Sequence, residues 1–201
     1  MTLEETLAQI KPLDKNAMDV AAKRWDSIAK PLHSLGKMEK LVIQIAGITG
    51  NPDMKIQKRA LVPMCADNGV VEEGVTQTGQ EVTAIVAENF LSGDTSACVM
   101  SRQCGTKVIP VDIGMAVDTK VSKELKVAYG TANMTKGPAM TRAQAVQALE
   151  AGIEMVRRLK EEGYGLLATG EMGIGNTTTS SAVASVLLAF LCGRHYGTAT
   201  F

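Results

Sequence analysis

The sequence predicts an α/β protein with a Rossmann-like parallel sheet that is flanked by helices and preceded by an N-terminal helical segment. Three apolar runs have the character of strands: Arg59–Ala66, Lys107–Gly114 and Gly165–Gly170. A continuous apolar run is typical of a strand that is covered on both faces, as in a parallel sheet. Helical patterns separate these runs, and strands that alternate with helices form right-handed βαβ units.

The first fifty residues predict helices alone. Apolar residues recur at helical spacing across residues 3–29, where Pro12 separates two helices, and again across Lys37–Ile48. We therefore expect a helical segment over residues 1–50, belonging to a small domain, and an α/β core over residues 55–190.

The segments between the strands carry helix signals of their own. Helices are predicted over Val82–Leu91, Ser96–Cys104 and Met140–Glu162. Thr141 and Gln144 stand three residues apart, which is the spacing of a capping box, and Gly163 is suited to end the same helix. Residues 115–138 show no period and are expected to be irregular.

The most informative stretch is Glu171–Thr179, which follows the third strand and precedes an apolar run over Ser180–Leu191. This order predicts a strand, a glycine-rich turn and the start of a helix. Such a turn directs backbone N–H groups and the positive end of the helix dipole toward an anion. We expect polar side chains here to cap the helix or face a ligand, and the carboxylate to act as a base or orient a polar substrate.

Composition excludes several classes of partner. The 21 basic and 21 acidic side chains balance, which gives no indication of a nucleic-acid or acidic-membrane surface. Aromatic residues make up only 3% of the chain, too few for a base-stacking platform. The four cysteines lack C-x-x-C spacing, so we expect reduced thiols in a cytoplasmic protein.

Common nucleotide and metal motifs are missing from the sequence. No G-x-G-x-x-G follows the first strand, and the turn has no Gly-Lys-Ser/Thr, which argues against a dinucleotide fingerprint and a P-loop. No cluster of His, Cys and Asp has metal-ligand spacing, so neither a metal nor a cofactor is expected.

Six separated segments, in order, resemble one enzyme family. They are Pro31–Glu39, Cys65–Val70, Gly74–Thr78 with Val82–Ala84, Val111–Gly114, Gly137–Met140 and Gly170–Thr178. Each is weak alone, but together the chain resembles the nicotinate-nucleotide–dimethylbenzimidazole phosphoribosyltransferases, which activate the lower base of cobalamin. The resemblance runs from about residue 5 to about residue 190.

The resemblance implies a reaction. Phosphoribose moves from nicotinate mononucleotide to 5,6-dimethylbenzimidazole or a related base, with inversion at the anomeric carbon, giving α-ribazole 5'-phosphate and nicotinate. The leaving pyridinium needs no acid because it already carries a positive charge, whereas the incoming ring N–H needs a carboxylate to remove its proton. The family also implies a homodimer for the full-length protein.

The resemblance assigns roles to particular residues. It makes Glu171 a supporting catalytic residue, and places Thr78 in the pocket for the base, with Val82 and Val86 on the same side. Residues expected to hold substrate at the strand ends and the turn are Asp67, Met172, Gly173, Gly175, Asn176, Thr177 and Thr178.

Several departures from the family pattern qualify these expectations. The principal catalytic glutamate belongs to a C-terminal half that this chain does not contain, so an incomplete domain with little turnover of its own is expected, with an atypical tail over 191–201. Val86 replaces a glutamine, which leaves a benzimidazole, a purine or a phenolic base open as the acceptor. Asn68 replaces a histidine, so any role for an imidazole is lost.

Two alternatives to an enzyme remain open. The chain could bind base or nucleotide without catalysis, or be a fragment of little stability, because a parallel sheet that lacks strands exposes an edge and an apolar face.

Overall fold

The computed structural model describes residues 1–188. The end of the predicted final helix at Leu191 and the predicted tail over 191–201 lie outside the described residues. The helices and strands are α1 Leu3–Ala8, α2 Lys15–Ser27, α3 Lys37–Thr49, β1 Arg59–Ala66, a 3₁₀ helix Gly69–Glu73, α4 Glu81–Ser92, α5 Ser96–Gln103, β2 Thr106–Val108, β3 Val111–Gly114, α6 Arg142–Glu161, β4 Leu166–Met172 and α7 Asn176–Leu187. The chain divides into two compact units, Thr2–Gln57 and a larger one that begins at Lys58.

The first unit consists of α1, α2 and α3. The Asp14 side chain caps α2 by accepting a hydrogen bond from the Ala17 amide at 3.0 Å. α2 and α3 pack through small residues: Ala21 and Ala46 are buried, and a Cβ added at Gly47 would lie 2.7 Å from the Met18 side chain. A glycine at this contact lets the two helices approach closely.

The second unit is built on a parallel sheet with β1 at its centre. β4 pairs with β1 from Arg59↔Leu166 to Cys65↔Met172. β2 and β3 follow one another along the other edge of β1, with registers Arg59↔Thr106 and Met64↔Val111. The predicted parallel sheet is thus confirmed.

The predicted single strand over Lys107–Gly114 is wrong, because Pro110 divides it into β2 and β3. Proline has no N–H to donate to a ladder. Ile109 still donates to the Leu61 carbonyl at 2.9 Å, after which the pairing resumes at Val111. Leu61 directs its carbonyl to the edge of β1 that carries β2 and β3. Residues two apart along a strand direct their backbone groups to the same edge, so Pro63 faces the interruption between β2 and β3, where its missing N–H is tolerated.

Helices cover both faces of the sheet. On one face, α6 contributes Met155 and Leu159 to a buried cluster with Ala60 and Val62 of β1. On the other face, Ala87 of α4 packs in a second cluster with the following residues: Cys65, Met115 and Val121. The capping box predicted for α6 is present, with the Gln144 amide 3.2 Å from Thr141 Oγ1 and the Thr141 amide 2.9 Å from Gln144 Oε1.

The irregular segment predicted over 115–138 is present and is held to the sheet by a buried ion pair. Lys126 Nζ lies 3.0 Å from Asp112 Oδ2, and the two side chains are 6% and 0% exposed. The same ammonium lies 3.3 Å from Asp118 and over the Tyr129 ring, 4.0 Å from its centroid. This cluster fixes the segment that follows β3.

Three of the four cysteines belong to the described residues, whereas Cys192 lies outside them. Cys65 and Cys98 are buried free thiols, and Cys104 is exposed and free. Burial, and secondarily the charge of Asp112, raises the pKa of the Cys65 thiol to about 12, so this thiol stays protonated. None of the helices within residues 1–188 combines the length and apolar character that crossing a bilayer requires.

Candidate functional site at the carboxyl edge of the sheet

The carboxyl ends of β1, β3 and β4 meet at one edge of the sheet. The Asp67 amide, directly after β1, donates to the Gly114 carbonyl at the end of β3 at 2.9 Å. On the other side, Cys65 is in register with Met172, the last residue of β4. The three strand ends that carry the predicted site residues are therefore neighbours, as the parallel topology requires.

Glu171 belongs to the end of β4 rather than to the following turn. The strand was predicted to stop at Gly170, but it continues through Met172, because both residues keep their pairing with β1. The Glu171 carboxylate accepts a hydrogen bond from Asn176 Nδ2, in the first turn of α7. Desolvation raises the pKa of Glu171 above its ordinary value, while the Asn176 hydrogen bond acts in the opposite direction.

The helix after the turn begins at Asn176, within the polar stretch that precedes the apolar run over Ser180–Leu191. Its N-cap is Gly175, which has a left-handed φ of 84° and supplies no side-chain cap. The expectation that Asn176, Thr177 or Thr178 caps the helix is therefore wrong: all three occupy its first turn. The Asn176 amide donates to the Gly173 carbonyl at 3.0 Å, and no side chain caps this end. The amides of Thr177 and Thr178 are therefore the ones left to bind an anion at the helix terminus.

The two glycines predicted to bind substrate are required by the turn itself. A Cβ added at Gly173 would lie 2.2 Å from the Ala66 carbonyl oxygen and 2.9 Å from Asn68 Nδ2. A Cβ at Gly175 would lie 2.9 Å from the Val71 side chain. The turn thus packs directly against the end of β1, and larger residues do not fit there.

Asn68 and α4 hold this turn in place. Asn68 Nδ2 donates to the Ile174 carbonyl at 3.0 Å, and the Ile174 amide donates to Thr83 Oγ1 at 3.0 Å. The Thr179 hydroxyl donates to Asn68 Oδ1 at 2.9 Å. Thr83 was not predicted as a site residue. The available signal is its place between two small or apolar residues in Val82–Ala84, because a hydroxyl that is buried among such residues needs a hydrogen-bond partner.

Asp67 lies in the interior of the protein. It is 1% exposed, and its Oδ2 accepts a hydrogen bond from the Ala116 amide at 2.7 Å. The Asp67 carbonyl also accepts from the Thr131 amide at 3.0 Å. These contacts organise the loops after β1 and β3, while a contact of Asp67 with substrate stays a prediction.

The predicted base pocket lies along the start of α4. Thr78 is exposed in the loop before this helix, and Val82 and Val86 are partly buried one helical turn apart. Thr83, next to Val82, reaches the turn after β4. The first turns of α4 are therefore adjacent to the glycine-rich turn.

A small apolar cavity of about 110 Å³ lies on the α6 side of the same edge. Its lining includes Ala66, Gly114, Gly130 and Met140. None of the predicted site residues lines this cavity, so it is separate from the predicted site.

Taken together, the turn and the start of α7 offer two amides that no side chain caps, small hydroxyl side chains and a carboxylate with a raised pKa. This combination suits a ligand that carries a phosphate and a second group able to exchange a proton.

Comparison with known proteins places this geometry in a family. The family model DBI_PRT, described as Phosphoribosyltransferase, matches residues 10–200. A nicotinate-nucleotide–dimethylbenzimidazole phosphoribosyltransferase of Clostridium tetani is 52% identical over 92% of this chain. A protein of the same name from Ruminiclostridium cellulolyticum is 49% identical over 98% of this chain. These matches cover 52% and 56% of the two relatives, so the chain spans about half the length of the curated relatives it matches.

A solved structure agrees with these matches. The crystal structure of a nicotinate-nucleotide–dimethylbenzimidazole phosphoribosyltransferase from Thermus thermophilus superposes with a TM-score of 0.81 at 38% identity. It aligns with 89% of this chain and 55% of its own. On the fold, the site geometry and these matches, the chain belongs to the phosphoribosyltransferase family.

Proposed function

We propose that the protein represented by this chain transfers phosphoribose from nicotinate mononucleotide to 5,6-dimethylbenzimidazole or a related lower base, in cobalamin biosynthesis. The products are α-ribazole 5'-phosphate and nicotinate. The observation that carries this proposal is that the N-terminus of α7, which no side chain caps, lies beside Glu171. The 52% identity to the nicotinate-nucleotide–dimethylbenzimidazole phosphoribosyltransferase of Clostridium tetani supports it.

The chemistry assigns a part to each side of the turn. The amides of Thr177 and Thr178 bind the phosphate of the ribotide, because a helix N-terminus favours an anion. Gly173 and Gly175 let the backbone approach it, and Met172 lies beside them at the end of β4. Holding the ribotide here fixes the direction from which the base attacks, which lowers the entropic part of the barrier.

The base lies against α4 in this proposal. Thr78 contributes a hydroxyl, while Val82 and Val86 contribute apolar surface. Glu171 orients the base or assists the group that removes its ring proton, and its raised pKa brings it closer to the neutral range in which proton exchange is efficient. Two further inferences rest on the family and the free thiols, namely a homodimer when full length and a cytoplasmic location.

The test is release of nicotinate, measured by chromatography, from nicotinate mononucleotide and dimethylbenzimidazole. We expect little release by the 201-residue chain alone and clear release when the second half of the Clostridium tetani relative is added. Glu171→Gln should lower the restored rate roughly a hundredfold, the lower end of the range for a side chain that assists proton transfer.

The intact Clostridium tetani relative serves as the positive control. If the restored mixture releases no nicotinate with any benzimidazole, purine or phenolic acceptor, the proposal is wrong. Binding of the ribotide without release would instead favour a binding protein without catalysis.

A further inference from the structure

The turn before α7 is held by side chains that the proposed reaction leaves unused. The backbone amide of Ile174 donates to Thr83 Oγ1, and its carbonyl accepts from Asn68 Nδ2, both at 3.0 Å. Both polar backbone groups of one turn residue are thus satisfied by side chains from α4 and from the end of β1. These two hydrogen bonds restrain the turn relative to the sheet.

Both side chains are buried, which makes their hydrogen bonds consequential. Thr83 is 0% exposed and Asn68 is 8% exposed. A buried polar group that loses its partner costs more than an exposed one, because water cannot replace the partner. Gln80 Nε2 also donates to the Asn68 carbonyl at 3.0 Å, so the N-terminal end of α4 holds Asn68 as well as the turn.

Asn68 extends the contact into α7. Its Oδ1 accepts a hydrogen bond from the Thr179 hydroxyl at 2.9 Å. An amide can donate and accept at once, so one side chain joins the turn to the helix that follows it. The direction of the first turn of α7 therefore depends on Asn68.

We propose, resting on the proposed function, that Asn68 and Thr83 are positioning residues that lock the Gly173–Gly175 turn and thereby aim the first amides of α7 at the ribotide phosphate. They touch the turn rather than the reacting atoms. Because Asn176 also forms a hydrogen bond with Glu171, the hydrogen bonds that hold the turn fix the direction of the carboxylate as well.

The test compares Thr83→Val, which keeps the shape but removes the hydroxyl, with Thr83→Ser, which keeps the hydroxyl. Hydrogen exchange of the 201-residue chain is measured by NMR. We expect the Ile174 amide to exchange about tenfold faster in Thr83→Val and at the parent rate in Thr83→Ser, because one buried hydrogen bond protects it. Amides within α6 should not change, which separates a local effect from general destabilisation.

The second measurement is the affinity for nicotinate mononucleotide, determined by calorimetry with the second half of the Clostridium tetani relative present. We expect Thr83→Val to weaken binding about tenfold, in keeping with loss of one hydrogen bond that organises the site, and Thr83→Ser to restore it. Asn68→Ala should reproduce both effects from the other side of the turn, and it serves if Thr83→Val fails to fold.

The outcomes separate the two proposals. A parent protein that does not bind the ribotide overturns the proposed function. A parent that binds, together with variants that exchange and bind as it does, overturns the positioning roles alone. Faster exchange with unchanged affinity also overturns them, since the turn would then be held for stability only.

Discussion

At the scale of single residues, the shape of the turn before α7 depends on Gly175. Its φ of 84° lies in the left-handed region, and the packing against Val71 leaves no room for a methyl group. Gly152, inside α6, presents the opposite case: a Cβ there would meet no atom within 4 Å. One glycine is required by its conformation and its neighbours, and the other is not.

This difference predicts opposite signs for the same substitution. Gly175→Ala should lower the free energy of unfolding by about 2 kcal/mol, the cost of a left-handed residue with a Cβ plus a shift of Val71. Gly152→Ala should raise it by about 0.5–1 kcal/mol, because alanine is the better helix former. Urea denaturation followed by circular dichroism measures both, and equal stability of Gly175→Ala and the parent would contradict the account of the turn.

The sequence indicates candidate residues for the site but not how the turn that carries them is held. Glu171 stands out in the sequence because it is a carboxylate next to a glycine-rich turn that opens a helix. Thr83 and Asn68 do not, since their partner is the backbone of Ile174, 91 and 106 residues away along the chain. Hydrogen bonds to a distant backbone leave no pattern in a single sequence.

At the scale of elements, local chemistry decides which predictions succeed. The bounds of β1 and the capping box of α6 are as predicted, because each follows from neighbouring residues. The single strand over Lys107–Gly114 fails at Pro110, and the predicted side-chain cap of α7 is not formed. The latter error arises because the left-handed Gly175 already ends the turn, which places Asn176 and the two residues after it in the first turn of the helix rather than at its N-cap.

The Asp112–Lys126 pair gives the prediction at this scale. Lys126→Met should lower the free energy of unfolding by about 3 kcal/mol or more, because it leaves the carboxylate of Asp112 buried without its cation. Adding Asp112→Asn should recover part of this loss, since the amide keeps an acceptor for the Met115 amide.

Lys123 provides the matched control for Lys126, because it is a lysine of the same segment whose ion pair is exposed to solvent. It pairs with Asp118 at 2.6 Å, but the two side chains are 57% and 48% exposed. Lys123→Met should cost no more than about 1 kcal/mol, as is usual for exposed ion pairs. Equal losses for Lys123→Met and Lys126→Met in thermal denaturation would show that the buried pair does not anchor the segment after β3.

At the scale of the whole molecule, the described residues form a helical unit and a sheet unit, and the chain spans about half the length of its curated relatives. Within residues 1–188, β4 pairs with β1 alone. Val186 and Leu187 near the end of α7 are 82% and 78% exposed. Such surfaces favour association.

The proposed function requires that the turn between β4 and α7 receives the phosphate of a ribotide. The most direct measurement is an NMR titration with nicotinate mononucleotide. It is carried out on the 201-residue chain by itself and on the chain mixed with the second half of the Clostridium tetani relative. We predict that the largest amide shifts fall on Gly173, Gly175, Thr177 and Thr178, and that Thr83→Val reduces them. Saturable binding whose largest shifts lie elsewhere, with these four amides unmoved, would contradict the claim.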